Sequence, residues 1–229
     1  IFNFINNDFL MNFFNSIVTI LFLVGLTNSF NWIDGLDGLA SGVTAIINIG
    51  FLTISILSDN FTLAILAASN IGASLGFLKY NYYPSKMIMG DAGSYFLGYI
   101  SGAIGLLSFS ELGQNQQIFI SFDNGILLLL LLFVPIFDMF VVILRRIKRG
   151  KSPFHPDRSH LHHFFYDKGL NHKKTVLLIY SFCQWFVCSS ITLKLGFNYT
   201  LIFLSTLILF IYLFYILRNY DYNLSKFKR

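Results

Sequence analysis

The feature that most constrains this chain is a series of long apolar segments separated by short polar ones. We identify seven such segments, at about 11–27, 38–57, 61–78, 94–109, 125–144, 175–193 and 199–217. Each approaches the roughly 20 residues that an α-helix needs to cross a bilayer. Charged residues make up 12% of the chain, against about 25% in a typical soluble domain. The pattern predicts an all-α, polytopic transmembrane helix bundle, with residues 1–229 forming a single membrane domain.

The basic residues fall almost entirely on one side of these spans. The connections 28–37, 79–93 and 145–174 and the tail 218–229 carry 15 of the 16 Lys and Arg residues, and Lys194 is the exception. Because positive charge in short loops marks the cytoplasmic face, we predict that these segments face the cytoplasm. The net charge of +5 is therefore explained by topology, and no nucleic-acid partner is expected.

The first of these connections carries two amides and two carboxylates at three-residue spacing, Asn28, Asn31, Asp34 and Asp37. Residues three apart share one face of a helix, and acids at membrane depth are costly and usually functional. A helix cap or a polar turn would account for one Asp, since Asn and Asp favour both. Four such residues in register are better explained as part of a functional site.

Two further acids stand at or inside predicted spans. Asp91 lies between glycines just before the fourth span. Mg²⁺ prefers carboxylate and amide oxygens, completed by water and substrate phosphates, so Asp91 is a candidate metal ligand; an N-cap role is compatible with this. Asp138 lies inside the fifth span, within two turns of Arg145 and Arg146. It could be a buried partner for an Arg, or it could face the site.

The segment 145–174, predicted to be a cytoplasmic loop, is dense in Arg and Lys and contains three histidines within four residues, His160, His162 and His163. Arg and Lys suit phosphate recognition, whereas ordinary topological charge would need no histidines. The histidines could suggest zinc, but no cysteine is near them in sequence. Next to Asp157 and Arg158, His160 and His162 are better interpreted as contacts to an anion than as metal ligands.

Together, these segments place oxygen ligands for Mg²⁺ and cations for phosphates at one membrane boundary, beside an apolar bundle. Phosphoryl transfer needs a metal, cations on the phosphates and aligned reactants. The residues therefore predict phosphoryl transfer from a soluble cytoplasmic donor to a membrane lipid. An ion-coupled transporter or channel would place charge near the bilayer midplane and often show inverted repeats. Here the acids sit mostly at one edge, and no repeat is visible.

Three motifs resemble those of the polyprenyl-phosphate N-acetylhexosamine-1-phosphate transferases of glycosyltransferase family 4. They are the Asn and Asp series of 28–40, the Met-Gly-Asp-Ala-Gly-Ser run of 89–94, and the Ser-Pro-Phe-His-Pro-Asp-Arg-Ser-His-Leu-His-His run of 152–163. The resemblance implies transfer of a sugar-1-phosphate, expected to be GlcNAc-1-phosphate, from a UDP-sugar to undecaprenyl phosphate, with release of UMP. It also implies a Mg²⁺ requirement, with Mn²⁺ as a possible substitute.

The resemblance further implies roles for single residues. Asp91 is expected to bind the metal, and Asn31 to contribute near the metal and the diphosphate. Asp34 and Asp37 are expected to shape the catalytic pocket and its uridine side. Arg158 and the histidine loop are expected to contact the donor diphosphate. The remaining expected site residues are Asn28 and Asn81 for substrate binding and His160, His162 and His163 for catalysis.

The histidine loop resembles the branch that uses UDP-GlcNAc or a related sugar to initiate surface glycans or teichoic acids. The alternatives are a phospho-MurNAc-pentapeptide transferase of peptidoglycan synthesis and an inactive homologue. The expected location is the bacterial plasma membrane, with the site facing the cytoplasm and a homodimer as a possible assembly. The family carries an Asp-Asp pair in an earlier loop, and no such pair occurs here. Since the chain starts at Ile1 with no signal peptide pattern, we expect it to be the C-terminal part of a longer protein.

Overall fold

The computed structural model describes residues 8–112, 118–120, 122–153, 155, 160–197, 205 and 208. The helices are α1 (Asp8–Ile33), α2 (Leu39–Leu57), α3 (Phe61–Asn81), α4 (Gly90–Phe109), α5 (Phe122–Leu131), α6 (Phe133–Lys148), α7 (Leu161–Asp167) and α8 (His172–Lys194). Two short strands, β1 (Ser110–Leu112) and β2 (Ile118–Ile120), pair antiparallel with Ser110 opposite Ile120. This strand pair is a small addition to a fold that is otherwise helical.

Five of these helices are long and apolar enough to cross a membrane, namely α1, α2, α3, α4 and α8. The pair α5 and α6 makes a sixth span if its two bent halves are counted together. The chain is therefore a multi-pass membrane protein, and the predicted all-α bundle is confirmed. The predicted count of seven spans is approximate. Its last member, 199–217, lies outside the described residues except at positions 205 and 208.

The fifth predicted span, 125–144, is not one straight helix. α5 and α6 meet at Leu132 with an angle of 79° between them. Pro135 accounts for the break, because proline cannot donate the hydrogen bond that the Leu131 carbonyl would accept in a continuous helix. The predicted loop 145–174 also differs in extent. It begins inside α6, contains α7 and ends inside α8.

The centre of the bundle is α2, which packs against α3, α4 and α8. Six apolar side chains of α2 are fully buried, and four of them, Val43, Ile47, Phe51 and Ile54, follow one another along the helix. Their spacing of three or four residues would place them on one face, yet polar side chains of α2 are buried as well. Asn48 Nδ2 donates to Ser101 Oγ on α4 at 2.9 Å. Such interhelical hydrogen bonds satisfy polar groups that lipid cannot.

The second close packing joins α1 to α4. A Cβ atom added at Gly98 would lie 2.9 Å from Phe30 Cβ, and one added at Gly102 would lie 2.9 Å from Leu26 Cδ2. Only a residue without a side chain permits this approach, so the close packing predicted for the glycines of the fourth span is confirmed. As a result, the end of α1 lies beside the start of α4.

The polar connections 34–38 and 82–89 come together at one end of the bundle with the described residues 149–153 and 160, with α7 and with the start of α8. Hydrogen bonds join the first connection to the second and to α8. The turn 58–60 and the strand pair lie at the opposite ends of the same helices. The predicted grouping of the polar motifs on one side is therefore confirmed.

Candidate active site

The first part of the site is a hydrogen-bonded group between α1 and α4. Asn31 Nδ2 donates to Asp91 Oδ1 at 2.9 Å and to Ser94 Oγ at 3.0 Å. Ser94 is buried, whereas Asp91 is exposed at the start of α4. The amide thus orients the carboxylate and leaves its other oxygen available to a ligand. Asn31 and Asp91, predicted to share a metal site, are brought together.

Asp34 extends this group along the turn 34–38 between α1 and α2, which we call the acid turn. Burial, together with the nearby charges of Asp91 and Asp37, raises the pKa of its carboxyl to about 6. The acids therefore repel one another at neutral pH. We call Asn31, Asp34, Asp37 and Asp91 the acid half of the site.

The donor set of the acid half fits Mg²⁺. Among the described residues, no three His, Cys, Asp or Glu side chains are close enough to enclose a metal on their own. Mg²⁺ commonly takes only one or two protein carboxylates and completes its shell with water and substrate phosphates. Asp91, with the Asn31 amide beside it, offers such an open site. A divalent cation there would also offset the repulsion that Asp34 experiences.

Asp37 has a different position from Asp34, because its carboxylate is used within the protein. Asp37 Oδ2 accepts a hydrogen bond from the Ser85 N–H at 3.0 Å, which ties the acid turn to the loop 82–89. The backbone carbonyl of Asp37 accepts one from His172 Nε2 at 3.2 Å. The His172 ring stacks on Tyr83, with centroids 4.3 Å apart. Asp37 therefore links two connections and α8.

The residue after Asp37 is held from both sides. Gly38 has φ 79°, a left-handed conformation that glycine adopts without strain. Its N–H donates to Asn81 Oδ1 at 2.9 Å, and its carbonyl accepts a short hydrogen bond from the Tyr180 hydroxyl. Asn81 Nδ2 donates in turn to the Met87 carbonyl at 2.8 Å. Asn81 is thus buried and bonded to the protein at both amide atoms, and its predicted nucleotide contact stays a prediction.

Opposite the acid turn lies a set of side chains that we call the histidine half, made up of the buried Asp138, His160 and His162 and the half-buried His163. His162 packs directly on Gly35, where an added Cβ would lie 2.3 Å from Nε2. Burial, followed by the neighbouring His163, lowers the pKa of His162 to about 3. At neutral pH its ring is uncharged, so it can offer a phosphate a hydrogen bond but no positive charge. Its Nε2 has no hydrogen-bond partner within the described part of the chain.

The three histidine rings form a connected group. His160 and His162 stack with centroids 5.5 Å apart, and His162 and His163 lie 4.3 Å apart. His160 is buried. Its Nδ1 lies 2.8 Å from Asp138 Oδ2. Among the described residues, Asp138 contacts His160 and the Leu161 N–H rather than an Arg side chain or the acid half. Its carboxylate holds His160 and the start of α7.

Arg146 joins the two halves. Its guanidinium lies over the Trp32 ring at 4.7 Å from the centroid, and Trp32 stands next to Asn31 in α1. One of its N–H groups donates to the Pro153 carbonyl at 2.5 Å. Trp32 also makes an edge contact with His160, at 5.8 Å between ring centroids. Arg146 thus anchors the start of the segment 145–174, which we call the basic segment, on α1, the helix that carries Asn31.

Not every predicted site residue joins these groups. Asn28 Nδ2 donates to the Val24 carbonyl of its own helix at 2.8 Å, so its substrate contact stays a prediction. Arg158 and the adjacent Asp157 lie outside the described residues. The sequence interpretation missed five residues of the site: Trp32, Tyr83, Ser94, His172 and Tyr180. Of these, Trp32 and Ser94 stand inside motifs and could have been noticed there.

Comparisons with known proteins bear on the family to which the chain belongs. The sequence model of glycosyl transferase family 4 matches residues 2–109. A Bacillus subtilis protein named probable undecaprenyl-phosphate N-acetylglucosaminyl 1-phosphate transferase is 40% identical over 195 residues, covering 85% of this chain and 51% of the relative. A Mycobacterium leprae decaprenyl-phosphate N-acetylglucosaminephosphotransferase is 34% identical over 72% of this chain and 44% of its own.

A Prochlorococcus marinus phospho-N-acetylmuramoyl-pentapeptide-transferase is 39% identical over 81% of this chain and 51% of its own. The chain thus spans about half the length of the curated relatives it matches. The family match covers the acid half, and the longer alignments extend over most of the chain. The chain belongs to glycosyl transferase family 4.

Proposed function

We propose that the protein transfers GlcNAc-1-phosphate from UDP-GlcNAc to undecaprenyl phosphate and releases UMP. The observation that carries this proposal is the Asn31–Asp91 pair at the mouth of an apolar bundle. His162 of the histidine half packs on the acid turn beside this pair. The names of two similar proteins, from Bacillus subtilis and Mycobacterium leprae, support both the sugar and the polyprenyl acceptor. The acids and the basic segment suit a diphosphate donor.

The proposed reaction moves one phosphoryl group. An oxygen of the lipid phosphate forms a bond to the β-phosphorus of the UDP-sugar. The bond from that phosphorus to the bridging oxygen breaks, and this oxygen leaves with UMP. The sugar stays on the β-phosphate throughout, so the product is a lipid-linked sugar diphosphate. Alignment and charge stabilisation account for most of the catalysis in such transfers.

We propose that Asp91, with Asn31 beside it, holds Mg²⁺. When bound, the ion would neutralise charge that develops on the diphosphate and on the departing UMP. Asn31 keeps the Asp91 carboxylate oriented through its 2.9 Å hydrogen bond. Asp37 holds the loop 82–89 against the acid turn through the Ser85 N–H. Arg158 and the histidine loop are proposed to contact the donor phosphates.

The proposed active site faces the cytoplasm, where UDP-sugars are made. Support comes from the charge distribution, because 15 of the 16 Lys and Arg residues belong to the connections and tail predicted for this side. The membrane is proposed to be the bacterial plasma membrane. A homodimer stays a prediction.

The experiment that tests this function is UMP release by membranes containing the protein expressed from its complete gene. The assay supplies undecaprenyl phosphate and Mg²⁺ and offers UDP-GlcNAc and UDP-MurNAc-pentapeptide in separate reactions, with EDTA as control. We expect release with UDP-GlcNAc that is lost on chelation. Release only with the pentapeptide donor would favour the second candidate, to which the Prochlorococcus relative points. No release with either donor, from folded protein, would reject the proposal.

A further inference from the structure

Asp138 is a buried carboxylate in the middle of the chain's most sharply bent span. It retains 3% exposure, and both of its oxygens are used. Oδ2 lies 2.8 Å from His160 Nδ1, and Oδ1 accepts the Leu161 N–H at 2.6 Å. A buried charge is costly unless it is fully hydrogen-bonded. The carboxylate thus binds two adjacent residues at the start of α7, the His160 ring and the Leu161 N–H, which indicates that it has a specific task there.

The two oxygens of a carboxylate fit both contacts. A carboxylate accepts at both oxygens, whereas an amide of the same shape accepts at one end and donates at the other. An Asn at position 138 could therefore satisfy His160 or Leu161, but not both. The unsatisfied donor would be buried, which costs more than the hydrogen bond itself contributes.

Arg146 fixes the other edge of the same ring. Its Nη2 lies 3.5 Å from His160 Nε2, and an Arg guanidinium can only donate. Nε2 therefore accepts, and the ring hydrogen is on Nδ1, where it points at Asp138. The two partners together define both the tautomer of His160 and the plane of its ring.

The consequence of this arrangement reaches the acid half through ring contacts. His160 stacks parallel on His162, with 10° between the ring planes. His162 in turn rests on Gly35, between the acids of the turn. A displaced His160 would therefore displace the ring that contacts the acid turn. Asp138 itself touches none of the acids within the described ranges.

We propose that Asp138 is a positioning residue: it holds His160 and the first residue of α7 so that His162 is placed against the acid turn. This inference rests on the proposed function for its kinetic test. It assigns Asp138 no contact with either substrate. Its effect on the reaction is transmitted through His160.

The kinetic test is a double-mutant cycle on UMP release by the full-length protein, with Asp138→Asn, His160→Ala and the double variant. A misplacement of about 1 Å can lower kcat about 100-fold, and we expect a loss of that size from Asp138→Asn. If Asp138 acts through His160, the double variant loses no more than His160→Ala alone. Losses that multiply would overturn the proposal. Asp138→Glu keeps both acceptors, so it should fold and lose less activity than Asp138→Asn; an equal loss would also overturn it.

The second test does not depend on activity. Diethyl pyrocarbonate modifies accessible histidines, and mass spectrometry assigns the sites. In the wild type, exposed His155 should react quickly, while His160 and His162, with 6% and 2% exposure, should be protected. In Asp138→Asn we expect their modification to speed up about tenfold, because a buried hydrogen bond is lost.

The matched control is Asp59→Asn, a carboxamide exchange in the turn at the opposite end of the bundle, which should leave both readouts unchanged. Unchanged modification of His160 and His162 in folded Asp138→Asn would overturn the proposal. Should the wild type release no UMP, the proposed function fails, yet the modification rates still decide whether Asp138 holds the histidines.

Discussion

The acid half presents an exposed carboxylate at the mouth of the bundle, whereas Asp138, His160 and His162 of the histidine half are buried. Asp91 is exposed, but His162 retains 2% exposure. Burial raises the pKa of Asp34 to about 6 and lowers that of His162 to about 3, so each group is pushed towards its uncharged form. The acid half therefore needs a cation from outside, while the histidine half obtains its geometry from partners within the protein.

The sharpest way to break this comparison is Asp91→Asn. The amide keeps an oxygen that can accept from Asn31 but loses the charge that Mg²⁺ requires. Since metal stabilisation of a transition state is worth several kcal/mol, we expect UMP release to fall at least about 1,000-fold. Initial rates at increasing Mg²⁺ concentrations measure this, with Asp59→Asn as control. A rate like that of the wild type would remove Asp91 from the metal site.

The contact between the halves is tested by Gly35→Ala. The added Cβ would lie 2.3 Å from His162 Nε2, so the ring must move away from the acid turn. We expect kcat to fall about 100-fold, as for other small misplacements at a reacting centre. Gly72→Ala in α3 is the matched control, because an added Cβ there meets nothing within 4 Å. Equal activity of the two variants would contradict the packing of His162 on this turn.

The buried histidine also predicts a dependence of stability on pH. The folded-state pKa of His162, about 3, lies below the ordinary histidine pKa of 6.5. Between these values the unfolded chain binds more protons, so stability falls as pH falls. From pH 6.5 to 5, the loss attributable to His162 is up to about 2 kcal/mol. His162→Gln should remove this part of the loss, measured as a smaller drop in Tm in detergent.

Neighbouring groups set the control for that measurement. His163, Asp138 and His160 face His162 and remain in both proteins. Asp34 acts with the opposite sign, because its pKa is raised in the fold, and lowering the pH through about 6 relieves its buried charge. It is also common to both proteins, so the difference between them isolates His162. Identical pH dependence of Tm in wild type and variant would mean that His162 is not buried as described.

The smallest expected effect concerns the loop 82–89. Tyr83 stacks on His172 at 4.3 Å, and an aromatic pair of this kind is worth about 1 kcal/mol. Tyr83→Ala should loosen the loop that Asp37 also holds and raise KM for the UDP-sugar about fivefold. The exposed neighbour Tyr82, changed to Ala, is the control and should leave KM unchanged. A larger effect from Tyr82 than from Tyr83 would place the donor on the other side of the loop.

Much of the acid half could be predicted from the sequence, because its residues follow local rules. The order of the apolar spans predicts that α1 finishes and α4 begins on the same side of the membrane. The glycines of α4 then allow the two helices to approach. Asn31 and Asp91 stand at those ends, so their contact follows from span positions and from the sidedness of charge.

The histidine half could not be predicted in the same way. The partner of Asp138 depends on how α6 leaves α5 at 79° and on where the chain re-enters helix at α7. Neither is a property of a local window of sequence. His172 and Tyr180 lie in a span with no motif, and they reach the acid turn only because α8 packs on α2.

The Tyr180–Gly38 hydrogen bond joins residues 142 positions apart. A chain made from its N-terminus inserts α1 to α4 long before α8 exists. The Asn31–Asp91 contact can form at that stage, as can the bonds from Ser85 to Asp37 and from Gly38 to Asn81, but the turn lacks its bonds to His172 and Tyr180 until α8 arrives. Biosynthesis therefore completes this site late. A polypeptide interrupted before Tyr180 would carry all the acids and histidines of the site while lacking the hydrogen bond from Tyr180 to the acid turn.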